Sequence, residues 1–251
     1  MIDRWRIAAN LATLANAAVG IGAILYTLAG NRLWGMLLIA CGIVFDGMDG
    51  ILSRRSLSPT RGFGRVADSI ADAITFGLAP ATIVLVHTND TGLWNQFSVE
   101  AWIVASLYLV LAVARLCYFT LRGYQRPDFL GAPTPQSALA MIIVALAFDT
   151  PGFLGATPLL FFALIAAVAV LMVVPIPFPK IRRDSPLRTA TIVTGVALVV
   201  ALLPLQFRPA VGSLVYDLAA VGTAVAAAGI LLYYVWGPYT VTPVASTVGA
   251  P

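Results

Sequence analysis

The feature that most restricts this chain is a succession of apolar runs, each close to the length that crosses a bilayer, separated by short polar turns. Eight can be read, at roughly 7–29, 33–53, 65–87, 98–121, 134–149, 156–175, 188–206 and 211–236. An α-helix of about 20 apolar residues spans the hydrocarbon core, and only helices or closed barrels satisfy their own backbone there. Composition agrees: 60% of the 251 residues are hydrophobic, 10% are charged, and mean hydropathy is +0.92. Soluble domains carry about 25% charged residues and could not bury this much apolar surface. The sequence therefore predicts an all-α, polytopic transmembrane helical bundle of about eight helices. The fifth run is short and is expected to tilt or to span only in part. Residues 1–236 form one transmembrane domain, with no room for a separate soluble one. The uncharged tail 237–251, GPYTVTPVASTVGAP, is expected to be disordered.

The N-terminal stretch places basic residues ahead of an apolar run that is too long for a signal h-region, so it reads as an uncleaved first helix. A net charge of +4 and a pI near 9.3 raise the question of nucleic acid. The basic residues lie in short loops between apolar runs, without an aromatic-basic surface module, which argues against that partner. Cys41 and Cys117 both fall inside apolar runs and read as buried small hydrophobes rather than a disulfide or metal pair.

Orientation follows from lysine and arginine, which accumulate on the cytoplasmic side of membrane proteins. With eight spans, the N-terminus and the even-numbered loops share one side. That side holds Arg4, Arg6, Arg54, Arg55, Arg61, Arg65, Arg122, Arg126, Lys180, Arg182, Arg183 and Arg188, with Arg115 near the same end of its helix. The other side holds Arg32 and Arg208, a count of 13 against 2. Both termini and the even loops are thus expected in the cytoplasm of a multi-pass cell-membrane protein. His87 falls at the outer end of the third helix and reads as interfacial.

Against this background four carboxylates stand out in CGIVFDGMDGILSRRSLSPTRGFGRVADSIADAITFGLAPA. Acids inside membrane spans are expensive and functional by default. Asp46 and Asp49 are three residues apart and share one helix face; Asp68 and Asp72 are four apart and share a face of the next helix. The two helices are antiparallel across a short cytoplasmic loop. Asp46 and Asp72 each lie about 12 Å from that loop at 1.5 Å per residue, with Asp49 and Asp68 nearer the surface. All four can converge in one cavity open to the cytoplasm. Clustered carboxylates repel strongly at low dielectric unless neutralised, and a divalent cation is the natural partner. Oxygen donors suit Mg²⁺, Mn²⁺ or Ca²⁺, and no His or Cys is placed to favour zinc. Two ions fit displacement at phosphorus, where they stabilise both attacking and leaving oxygens. Gly47, Gly50 and Gly64 lie beside the acids, where small residues allow either a bulky ligand or close helix packing.

The spacing Asp46-x2-Asp49-Gly50-x2-Ser53-Arg54-x9-Gly64-x3-Asp68-x3-Asp72 resembles the signature of the CDP-alcohol phosphotransferases, D-x2-D-G-x2-A-R-x8/9-G-x3-D-x3-D. Seven of the eight fixed positions match, and Ser53 replaces alanine. The resemblance implies that an alcohol hydroxyl attacks the β-phosphate of a CDP-activated donor and that CMP leaves. It implies Asp46, Asp49, Asp68 and Asp72 near two divalent cations, Asp72 as general base, and Asp49, Gly50, Ser53, Arg54, Gly64 and Asp68 around the CDP moiety. It also implies a homodimer and a six-helix core, to which helices seven and eight would be additions.

Further stretches resemble the type II phosphatidylserine synthase and archaetidylserine synthase branch: NLATLANAAVG, ADSIADAITFGLAPA, AVARLCYFTLRG, DFLGAPTP (Phe129, Gly131, Pro133, Pro135) and LMVVPIPFPK. Tyr118 departs from that branch, which usually has arginine there. This implies L-serine as acceptor and CDP-diacylglycerol or, in an archaeon, CDP-archaeol as donor, within a membrane of lipids. The serine carboxylate asks for a cation. Arg115 is the first candidate, followed by Arg122 and Arg126; positive-inside or snorkelling arginines are the competing explanation. Lys180, Arg182 and Arg183 suit anionic headgroups, or a phosphorylated acceptor such as inositol phosphate or glycerol 3-phosphate. A cation transporter using the aspartates would require acids along a path from both faces, whereas Asp149 and Asp217 look interfacial.

Overall fold

The structure, a computed structural model, describes residues 4–53, 62–90, 98–122, 129–149 and 158–178, together with residue 202 and residues 222, 223, 225, 227–230 and 232–234. Helix α1 (Arg4–Leu28) and helix α2 (Arg32–Ser53) form an antiparallel hairpin. Its turn is set by Gly30, whose φ of 83° is a left-handed conformation that glycine adopts without a Cβ clash. The Gly30 amide donates to the Thr27 carbonyl at 3.0 Å and the Asn31 amide to Tyr26 at 2.8 Å. These bonds satisfy the last carbonyls of α1 in a Schellman arrangement. Within the hairpin the helices approach closely: a Cβ on Gly35 would stand 3.0 Å from the Ala23 carbonyl oxygen.

Helix α3 (Gly62–Asp72) runs through a π-helical segment, Ala73–Leu78, into helix α4 (Ala79–Asp90). The sequence reads the middle of this stretch as one ordinary span, 65–87. The wider π turn in its centre is a finding of the structure. Helix α5 (Val99–Arg122) follows, then strand β1 (Phe129–Leu130), helix α6 (Thr134–Asp149), helix α7 (Pro158–Leu171) and strand β2 (Pro177–Phe178).

Among the described residues, four stretches are long and apolar enough to cross a membrane: Arg4–Leu28, Arg32–Gly50, Gly64–Val86 and Val99–Leu121. The chain is a helical membrane protein. Helix α6 has 16 residues, as the short fifth run led one to expect, and α7, within the sixth run, is shorter still at 14. The seventh and eighth apolar runs lie largely outside the described residues, as do the tail and the Lys180–Arg183 cluster.

The interior is built from Met36 and Ile39 of α2, Phe76 of the π segment, Ile83 of α4, Tyr108 of α5, Met141 and Ile142 of α6 and Ile165 of α7, all buried. Leu11, Leu14, Leu25, Val110, Leu121 and Leu159 face outward. Apolar residues on both faces are what a bundle in lipid requires, because its surroundings are as apolar as its core.

The described residues are helical as expected, with one local addition: β1 and β2, two residues each, pair antiparallel, Phe129 opposite Phe178 and Leu130 opposite Pro177. Gly131, with φ 78°, continues the pairing by donating to the Ile176 carbonyl at 3.0 Å. A Cβ there would run into the Met172 backbone. Pairs of two residues leave no alternating pattern in a sequence. One expectation needs correction: Cys117 is exposed on α5 rather than buried; Cys41 is half-buried, and both are free thiols. On a membrane-spanning helix a small apolar side chain is equally at home outside.

Candidate active site

Helical spacing presents the acids of α2 and α3 to one another. Carboxylate oxygens of Asp46, Asp68 and Asp72 all lie within 4.8 Å of one another. Asp72 is buried, and Asp46 and Asp68 are half-buried. Asp49 is also buried and stands beside this trio, with its carboxyl within hydrogen-bond reach of Asp68. The expected four-carboxylate convergence is therefore a cluster of three with the fourth attached through Asp68. Three facing carboxylates form a hard, all-oxygen donor set with the right charge for a divalent cation such as Mg²⁺ or Mn²⁺.

The surroundings come from a helix that the sequence reading left out of the site. Thr13 of α1 donates its hydroxyl to Oδ2 of Asp49. One turn further on, Asn16 is fully buried and donates Nδ2 to Oδ1 of Asp72 at 3.0 Å. The Asn16 carbonyl accepts the hydroxyl of Thr75 at 2.8 Å, and Thr75 sits in the π segment that begins directly after Asp72. Two glycines make this approach possible. A Cβ on Gly20 would lie 2.9 Å from the Thr75 Cα, and one on Gly42 would lie 3.0 Å from the Asn16 Oδ1. The signal was present in the sequence: Thr13 and Asn16 are three apart on one face of an apolar helix, and an asparagine within a membrane span needs a polar partner.

Arg115 belongs to the same neighbourhood. It is buried on α5, and its charge acts first on Asp72 and also on Asp46. Its Nη1 donates to the hydroxyl of Thr134 at 3.0 Å, and its guanidinium carbon stands 5.7 Å from the centre of the Phe119 ring. Thr134 opens α6. In the same turn the Ser137 hydroxyl donates to the Pro133 carbonyl at 3.1 Å and pairs with the Tyr234 hydroxyl at 3.0 Å. A residue far along the chain thus reaches the turn that holds Arg115.

The remaining sequence candidates divide simply. Gly50 and Gly64 are half-buried on α2 and α3. Among the described residues, no atom beyond its own helix lies within 4 Å of where a Cβ would stand on Gly47, so close packing against them does not account for that glycine. Ser53 and Arg122 are the last residues of α2 and α5. Arg54 and Arg126 lie outside the described residues.

Comparison with known proteins falls on the same elements. A family model described as CDP-alcohol phosphatidyltransferase matches residues 6–175. The chain belongs to this family. The matched region of the CDP-alcohol phosphatidyltransferase runs from α1 through α7, and so contains all four aspartates, Thr13, Asn16 and Arg115; Tyr234 lies beyond it. The chain is 28% identical over 177 residues to the CDP-diacylglycerol–serine O-phosphatidyltransferase of Helicobacter pylori, covering 69% of this chain and 72% of that one. It is 28% identical over 173 residues to the archaetidylserine synthase of Methanothermobacter thermautotrophicus, covering 68% and 69%. To the CDP-diacylglycerol–serine O-phosphatidyltransferase of Bacillus subtilis it is 27% identical over 173 residues, covering 69% of this chain and 90% of that one.

Proposed function

We propose that this protein transfers the phosphatidyl, or archaetidyl, group of a CDP-activated lipid to the hydroxyl of L-serine and releases CMP. The observation that carries the proposal is the convergence of Asp46, Asp68 and Asp72 in a member of this family whose relatives include bacterial and archaeal serine transferases.

In this reading Asp46, Asp49, Asp68 and Asp72 hold two divalent cations, Mg²⁺ or Mn²⁺. When bound, these ions neutralise the diphosphate and stabilise the charge that develops as its bridging oxygen leaves. Gly50, Ser53, Arg54 and Gly64, with Asp49 and Asp68, surround the CDP moiety, and Gly47, without a side chain, leaves room for it against the α2 backbone. Asp72 takes the proton of the serine hydroxyl as that oxygen attacks the β-phosphorus. The new P–O bond joins serine to the lipid phosphate. The bond between that phosphorus and the bridging oxygen breaks, and the oxygen departs with CMP. Arg115 receives the serine carboxylate; a buried guanidinium with its fork of donors matches that group. Arg122 and Arg126 are the next candidates for that carboxylate.

The same reading has the chain cross the cell membrane eight times, with the active site and both termini in the cytoplasm, and act as a homodimer. The arginine and lysine asymmetry of 13 against 2 supports the orientation. A panel of acceptors tests the function. Purified protein with CDP-diacylglycerol and Mn²⁺ is expected to release CMP with L-serine and not with inositol phosphate or glycerol 3-phosphate. Release with a phosphorylated alcohol alone overturns the serine assignment. No release with any acceptor, from either the ester or the ether donor, overturns the transferase reading.

A further inference from the structure

Asn16 is fully buried, comes from a helix outside the aspartate motif, and makes a direct side-chain hydrogen bond to the residue read above as the base. We infer that Asn16 is a positioning residue for Asp72, holding one carboxylate oxygen so that the other is presented to the acceptor hydroxyl. The inference rests on the reading of Asp72 as general base.

A carboxylate turns easily about its last side-chain torsion, which is broad and two-fold. In a cluster of three acids it can adopt several arrangements, of which few aim a lone pair at an incoming hydroxyl. The Asn16 amide removes that freedom. Its Nδ2 donates to Oδ1 of Asp72 at 3.0 Å, which fixes the plane of the carboxylate and leaves the lone pairs of Oδ2 to be shared between cation and acceptor. Asn16 is itself held from two sides. Its carbonyl accepts the Thr75 hydroxyl, which ties it to the π segment immediately after Asp72. Its Oδ1 packs against Gly42, where a Cβ would approach to 3.0 Å.

The amide orientation is chemically determined. Turning it over would set a carbonyl oxygen against the Asp72 carboxylate and forfeit a donor bond to an acid. As it stands, Asn16 Oδ1 is buried without a hydrogen-bond partner among the described residues. An unsatisfied buried amide oxygen is destabilising, and a leucine of similar size would avoid that cost. Helix packing alone therefore does not account for an asparagine here, whereas the bond to Asp72 does.

The experiment uses the full-length protein with Asn16→Leu, which keeps the volume, and Asn16→Ala, which keeps the neighbours unstrained. Each is measured for kcat, for KM of CDP-diacylglycerol, for Mn²⁺ affinity and for melting temperature, with Asp72→Asn alongside. Loss of a partner that orients a functional ligand typically costs 10- to 100-fold. Both Asn16 variants are expected to lose kcat by about that factor. KM for the donor should stay within about twofold of the parent, and Mn²⁺ affinity should fall by clearly less than kcat does.

Retention of the parent kcat in either folded variant overturns the inference. So does a loss matched by an equal fall in Mn²⁺ affinity, which would make Asn16 part of the metal site, or a loss that follows only the unfolding of both variants. If Asp72→Asn keeps its activity, the assignment of the base fails. If Asp72→Asn is inactive while both Asn16 variants are fully active, only the role of Asn16 fails.

Discussion

The aspartate cluster and the first turn of α6 are both polar and both lie near Arg115, yet they are built in different ways. The cluster takes its acids from two consecutive helices, at spacings of three and four residues that helical geometry turns into a shared face. The α6 turn is assembled from pieces that no helical period links: Arg115 meets Thr134 across 19 residues, and Ser137 meets Tyr234 across 97. If, as proposed, the first region carries the chemistry at phosphorus and the second receives the acceptor, substitutions in the two should change different constants.

Substitutions can break this comparison at either end, and their expected effects run from large to small. Asp72→Asn should lower kcat by about 10²- to 10⁴-fold, the usual worth of a general base, while binding of the CDP-lipid measured by isothermal titration stays near the parent value. Asp46→Asn should weaken Mn²⁺ binding, followed by electron paramagnetic resonance, by more than the roughly 10- to 100-fold typical of removing an outer partner. Arg115→Ala should act on the other region. A charge-assisted hydrogen bond of about 1.5–3 kcal/mol corresponds to a rise of roughly 10- to 100-fold in KM for L-serine, with KM for the donor unchanged. An equal rise in both constants would merge the two regions into one.

Two smaller effects sharpen the contrast. Gly42→Ala places a Cβ against Thr75 and Asn16, and overpacking of this kind costs about 1–3 kcal/mol. Thermal unfolding should register that loss, and kcat should fall because the α1 wall is displaced. Tyr234→Phe removes one neutral hydrogen bond, worth about 0.5–1.5 kcal/mol. It should lower the melting temperature slightly and raise KM for serine by less than Arg115→Ala does. A Tyr234→Phe effect on kcat as large as that of Asp72→Asn would contradict the division altogether.

The same contrast explains what the sequence revealed. The six helices α1–α7, counting α3 and α4 as one rod, follow from apolar runs near the length of a bilayer, and the aspartates follow from their spacing within two of them. Asn16 and Thr13 were less visible because their meaning depends on which face α1 turns toward α2 and α3, and packing decides that. The π segment depends on an extra residue per turn that no apolar pattern records. The β1–β2 pair is too short to show periodicity. Thr134, Ser137 and Tyr234 are ordinary polar residues at helix ends until the fold brings them to Arg115. Arg115 itself was legible through its resemblance to a family segment, and burial beside the aspartates is what separates it from a surface arginine.

The most direct test of the account is formation of the serine-linked lipid by purified protein, followed as incorporation of labelled L-serine with CDP-diacylglycerol or CDP-archaeol as donor. Chelation of divalent cations should stop it and added Mn²⁺ should restore it, with one CMP released per serine incorporated. Serine incorporation that persists after chelation, or CMP release that proceeds without serine at the same rate, would contradict a carboxylate-held cation centre acting on an acceptor hydroxyl.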